Sequence, residues 1–159
     1  MKKLTVILVM IASGIVQKSF AQDSMQSQSS PLINRYYDIK NSLIAGDVKA
    51  TALSSDEFIK ILNGVDYKII SEGNINILLK DATEISESKD INEQRKIFAN
   101  LSLNMFEIAK TTDLSDESIY QMYCPMKDAY WLSNEKEIKN PYFGNSMLTC
   151  GRVVETIDK

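Results

Sequence analysis

The sequence predicts an all-α fold, an antiparallel four-helix bundle closed by an irregular C-terminal cap with room for a short β element. Three observations carry that expectation. Four stretches between Pro31 and Lys110 repeat apolar residues at spacings of three and four, the period of one helical face. Short breaks separate them, so chain neighbours are expected to lie antiparallel. After Lys110 the period is lost, and the last third gathers both cysteines, the single Trp131 and two of the three prolines. The bundle is expected over residues 31–112, and residues 113–159 as a cysteine-containing cap of the same domain.

Ahead of the bundle, "MKKLTVILVMIASGIVQKSFAQ" has two lysines, an apolar run from Leu4 to Val16, and Ser19-Phe20-Ala21. That is the pattern of a secretory signal peptide over residues 1–21, with cleavage near Ala21 and a periplasmic or secreted destination. The apolar run has 13 residues, short for a helix crossing a hydrocarbon core of about 30 Å. No membrane span is expected in the mature chain. Residues 22–30, "QDSMQSQSS", read as a flexible leader. Lys2, Lys3 and Lys18 leave with the signal, so the mature chain has 15 basic against 21 acidic residues, a net charge of −6. An acidic chain with no basic cluster lacks the footprint of a nucleic-acid binder, and accommodates a cation more readily.

The first helix begins at Pro31, which suits a first turn, and its stripe runs through Leu32, Tyr36, Ile39 and Leu43. Gly46-Asp47 breaks it, with Asp47 as the next N-cap. The second carries Phe58, Ile61, Leu62 and Val65, and ends between Gly64 and Asp66. The third runs from about Asn74 to Ser86 through Ile75, Leu78, Leu79, Ala82 and Ile85. The fourth opens at Asp90-Ile91-Asn92-Glu93, an acidic variant of the capping box, and steps through Phe98, Leu101, Met105 and Ile108. Its Met and aromatic positions read as core.

In the cap, "IYQMYC" alternates and sets Tyr120, Met122 and Cys124 on one side of a short strand. Pro125 and Pro141 then punctuate the segment. Trp131, Tyr142 and Phe143 are expected to pin it onto the bundle, with Asn140, Pro141 and Gly144 shaping a turn.

Chemistry is bounded by a histidine count of zero. No Ser-His-Asp or Cys-His pair exists, no imidazole can hold a metal, and no glycine-rich phosphate loop is present. The chain is expected not to be an enzyme. Its sulfur leaves two readings open. Cys124 and Cys150 can form a disulfide, whose loop closure is worth about 3–4 kcal/mol on the chain-entropy model. Alternatively Cys124 with Met126, and Met147 with Cys150, form two thiolate–thioether pairs, and such soft sulfur selects Cu(I).

The segments "YQMYCPMKDAYWLS" and "EIKNPYFGNSMLTCG" resemble the signature of a family of exported bacterial domains of unknown function. That family also occurs appended to periplasmic adaptor subunits of copper/silver efflux systems. "LIAGDVKAT" and "QRKIFANLS" are similar to its helical part, so the resemblance spans about residues 32–155. Its pattern falls on Cys124, Pro125, Met126, Trp131, Leu132, Ser133, Asn140, Pro141, Tyr142, Phe143, Gly144, Met147, Cys150 and Gly151. Only Lys127 and Asp128 stand between Met126 and Ala129, fewer residues than the family has there. The resemblance implies an exported accessory binding protein in copper or related heavy-metal handling, with a metal ion or a metal-efflux component as partner. The other reading is a structural or protein-interaction domain with a Cys124–Cys150 disulfide and no metal.

Overall fold

Four helices and a small antiparallel sheet follow one another along the chain in the computed structural model, which describes residues 29–159. The expected signal peptide, and the leader up to residue 28, lie outside the described residues. The helices are α1 (Ser29–Ala45), α2 (Val48–Leu62), α3 (Glu72–Glu87) and α4 (Ile91–Thr111). Each packs chiefly on its neighbour in the chain, α1 on α2, α2 on α3, and α3 on α4. Among the described residues no helix is long and apolar enough to cross a membrane.

Local chemistry sets the helix ends. α1 starts at Ser29, so the last two residues of the expected leader are already helical and Pro31 sits inside the first turn. Gly46 takes a positive φ of 73°, ending α1, and Asp47 then caps α2 by accepting from the Lys49 and Ala50 N–H groups. Asp90 caps α4 by accepting from Asn92 N–H, but the expected capping box forms only by half. Glu93 pairs with Lys96 one turn on, and the Asp90 N–H donates to the Ser88 hydroxyl instead. The nearby serine does what the glutamate was expected to do.

The last third corrects both the all-α class and the irregular cap. β1 (Ile119–Cys124), β2 (Ala129–Ser133) and β3 (Arg152–Ile157) form a three-stranded antiparallel sheet in the order β2-β1-β3. β1 is the alternating segment the sequence marked. β2 escaped because Trp131, Leu132 and Ser133 are buried in succession, which erases the two-residue period. β3 escaped for the opposite reason: from Arg152 to Thr156 every residue is exposed, so no face is apolar. Pairing with β1 across a register shift at Gln121/Met122 holds it as a strand.

One apolar cluster runs from the helices into the sheet, including Leu32, Tyr36, Phe58, Phe98 and Leu101 together with Met122, Cys124, Trp131 and Tyr142. α4 lies against β2. At that junction the Tyr36 hydroxyl accepts from Leu132 N–H at 3.0 Å and shares a hydrogen bond with Ser102 at 2.7 Å. Burial alone pushes the Tyr36 phenol far above its usual range.

Candidate functional site

Pairing brings the two cysteines together from 26 positions apart. Cys124 ends the central strand β1, while Cys150 is separated only by Gly151 from β3, which pairs with the same strand. Both are free thiols, with their Sγ atoms 3.6 Å apart. A disulfide bond is about 2.05 Å long, so no such bond joins them. Cys124 is fully buried and Cys150 partly so. The Cys150 thiol is held above the ordinary range, first by its hydrogen bond with Cys124 and then by desolvation, with the Met126 backbone N–H opposing. Without a cation, a thiolate here is disfavoured.

The two methionines occupy the turns beside this pair. Met126 is in the hairpin Pro125–Asp128 between β1 and β2, and is 67% exposed. The positive φ of Asp128, 53°, tightens that hairpin, and its carboxylate accepts from the Tyr123 hydroxyl at 2.8 Å. Met147 is 37% exposed, and its carbonyl accepts from the Cys150 N–H at 3.1 Å, folding Met147–Cys150 into one turn. Both thioethers therefore belong to solvent-facing residues beside a buried thiol. Among the described residues, no group of three or more Cys, Asp and Glu converges as a metal cluster. Further ligands to an ion held by the thiol pair would have to be thioether or backbone.

The residues expected to shape the cap hold this arrangement in place. Asn140 Oδ1 accepts from Tyr142 N–H at 2.8 Å, and its Nδ2 donates to the Cys150 carbonyl at 2.7 Å. Its own N–H donates to the Leu148 carbonyl and its carbonyl accepts from Gly144 N–H, so one fully buried amide residue organises the whole loop. The Tyr142 hydroxyl donates to the Tyr130 carbonyl, and its ring stands edge-on to Trp131 at 6.0 Å. Trp131 is fully buried, while Phe143 packs partly buried against the core. A Cβ on Gly151 would come within 2.6 Å of Trp131 Cη2, so glycine there lets the chain leave Cys150 beside the indole.

Sequence reasoning missed the residue that ties this loop to the helices. Arg95 on α4 donates from Nε to the Pro141 carbonyl at 2.9 Å and from Nη2 to the Leu43 carbonyl at 3.0 Å. It joins α4 to the end of α1 and to the Pro141 loop, adding a second donor to the Leu43 carbonyl, which also accepts from Gly46 N–H. Gly144 closes the same joint: its φ is +53°, and a Cβ would stand 2.7 Å from the Ile44 carbonyl oxygen and 2.9 Å from Arg95 Nη2. A charged residue on a helix normally reads as solvated surface, so the sequence carried no signal for Arg95.

A family model described as "Protein of unknown function (DUF3347)" matches residues 32–117. The match covers most of α1 and the whole of α2, α3 and α4, and it stops before β1, short of both cysteines and of the C-terminal signature residues. No curated protein and no solved structure matches the chain.

Proposed function

The chain belongs to the family of proteins of unknown function that this model describes, and from that premise we propose that it is an exported, non-enzymatic accessory protein binding Cu(I) through Cys124 and Cys150. In this reading the four helices form an antiparallel bundle that serves as scaffold, and the sheet carries the site. The observation that supports it is the pair of free thiols 3.6 Å apart. That is well beyond a covalent bond of about 2.05 Å. It is close to the separation of roughly 3.8 Å between two thiolates sharing one tetrahedral ion at metal–sulfur distances of about 2.3 Å. Soft thiolate and thioether donors favour Cu(I) over ions that prefer oxygen or imidazole. Met126 and Met147, on the turns that flank the pair, are the candidate thioether ligands.

A metal would supply the positive charge that the thiols lack, displacing their protons. Because the Cys150 thiol is raised, protons compete strongly at neutral pH, and affinity should climb as pH rises. The same proximity favours a second reading, a disulfide that staples Cys150 to the central strand. Competition against a Cu(I) chelator separates the two. The reduced protein should take one Cu(I), more tightly at pH 8 than at pH 6.5. Met126→Ala and Met147→Ala should weaken it, and Cys124→Ser/Cys150→Ser should abolish it. Binding by the double serine variant equal to that of the parent would refute the metal reading. Protein purified fully oxidised, and losing about 2–4 kcal/mol of stability on Cys150→Ser, would establish the staple.

A further inference from the structure

We propose that the cleft between α1 and the turn following β2 binds a small polar organic monocarboxylate, anchored by the ammonium of Lys40. The site is remote in kind from the sulfur pair and does not depend on it. Lys40 lies on the buried stripe of α1, one turn after Tyr36, and only 4% of it is exposed. Its Nζ donates to the Ser133 hydroxyl at 3.3 Å and lies 5.2 Å from the centre of the Tyr37 ring. Ser133 is itself oriented, since its oxygen also accepts from Glu135 N–H at 3.1 Å. This gives a role to the serine of the Trp131-Leu132-Ser133 segment, which the sulfur chemistry leaves unused.

The cleft is about 510 Å³, within the range of small-molecule sites and far larger than a lone inorganic ion requires. Its carboxylates are already engaged: Asp38 pairs with Arg35 at 2.8 Å, and Glu135 pairs with Lys139 at 2.8 Å. Lys139 is held by Glu137 as well. Lys40 is different, because among the described residues no carboxylate reaches ion-pair distance of it. An ammonium offers three donors, and one protein acceptor meets only one of them. Burial pushes its pKa down to about 8, partly offset by the charge of Glu135. A buried ammonium kept without a counter-ion costs stability, and a bound carboxylate would supply the missing charge and acceptors.

The surroundings narrow the ligand further. Asn34, Asn41 and Asn134 line the cleft and spend no side-chain hydrogen bond on the protein among the described residues, so they can meet hydroxyl or amide groups. Glu135 and Asp38, which line the cleft, would repel a second negative charge, which selects a monoanion over phosphate or a dicarboxylate.

The test uses backbone amide NMR of the full chain with three probes: N-acetylglycine, its uncharged amide, and inorganic phosphate. N-acetylglycine should give saturable shifts confined to residues 34–41 and 133–139, with its amide and phosphate at least roughly tenfold weaker. Lys40→Met should lose the response by a similar factor. Equal binding of the acid and its amide, preference for phosphate, or no saturable shift would each overturn the proposal. The acid–amide comparison is made on the parent protein, so it stands even if the variant folds poorly.

Discussion

Single residues in this protein act mostly through burial. Lys40 is the clearest case, since its ammonium is desolvated and faces Ser133, the Tyr37 ring, Glu135 and, farther out, Lys139 and Asp38. Its folded pKa of about 8 lies below the ordinary lysine value near 10.4. Below pH 8 both folded and unfolded chains carry the charge, so the burial penalty is fully present. From about pH 8 upward the unfolded state binds more protons, and stability should rise with pH. Toward pH 10 the buried phenols of Tyr36, Tyr37 and Tyr142 oppose this, because their raised pKa values keep protons that the unfolded chain loses. Lys40→Met should therefore be more stable than the parent at pH 7, by about 1–3 kcal/mol, with a flatter profile between pH 8 and 10. Urea titrations across that range check it, and a less stable variant at pH 7 would mean that the ammonium is compensated.

Among the elements, β3 is the least supported. It hydrogen-bonds only β1, and Arg152 to Thr156 are all exposed, Val153 and Val154 among them. With little apolar area buried, its local opening should take much less free energy than that of β1 or β2. Native-state hydrogen exchange should show Arg152–Ile157 amides exchanging ahead of Met122 and Trp131. Uniform protection across the three strands would contradict this ordering. The consequence reaches the thiols: Cys150 precedes the weakest strand, whereas Cys124 ends the best-supported one. Opening of β3 would expose Cys150 first, and under the proposed Cu(I) reading this would be the ion's route to the pair.

At the scale of the whole molecule, helices and sheet share one apolar cluster, and polar ties cross between them. Arg95 reaches Pro141, the Tyr36 hydroxyl accepts from Leu132 N–H, and Lys40 Nζ donates to the Ser133 hydroxyl. A sheet of this size has little independent stability without such packing. Unfolding should then be a single transition. Trp131 fluorescence, which reports the sheet, and far-ultraviolet circular dichroism, which reports the helices, should give coincident denaturation curves. Separated midpoints would mean that the sheet melts on its own.

What the sequence by itself determined was the part governed by local period and local capping. The stripes of α1 to α4 are visible because a helix buries every third or fourth residue, and Asp47 and Asp90 announce helix starts because caps act within three residues. β1 was legible through its alternation, and Trp131, Asn140 and Tyr142 were marked by residue type alone. Only the tertiary structure decided the rest. β2 and β3 exist because β1 offers its two edges to them, a non-local pairing that leaves no period in a strand buried or exposed throughout. The 3.6 Å approach of Cys124 and Cys150 follows from that pairing. Lys40 and Arg95 look like solvated charges in the chain, and become a buried ammonium and a three-way clamp because segments about 46 to 93 residues distant fold over them. Burial is a property of what packs on a residue, and that partner is set by the fold rather than by the residue's own neighbours in sequence.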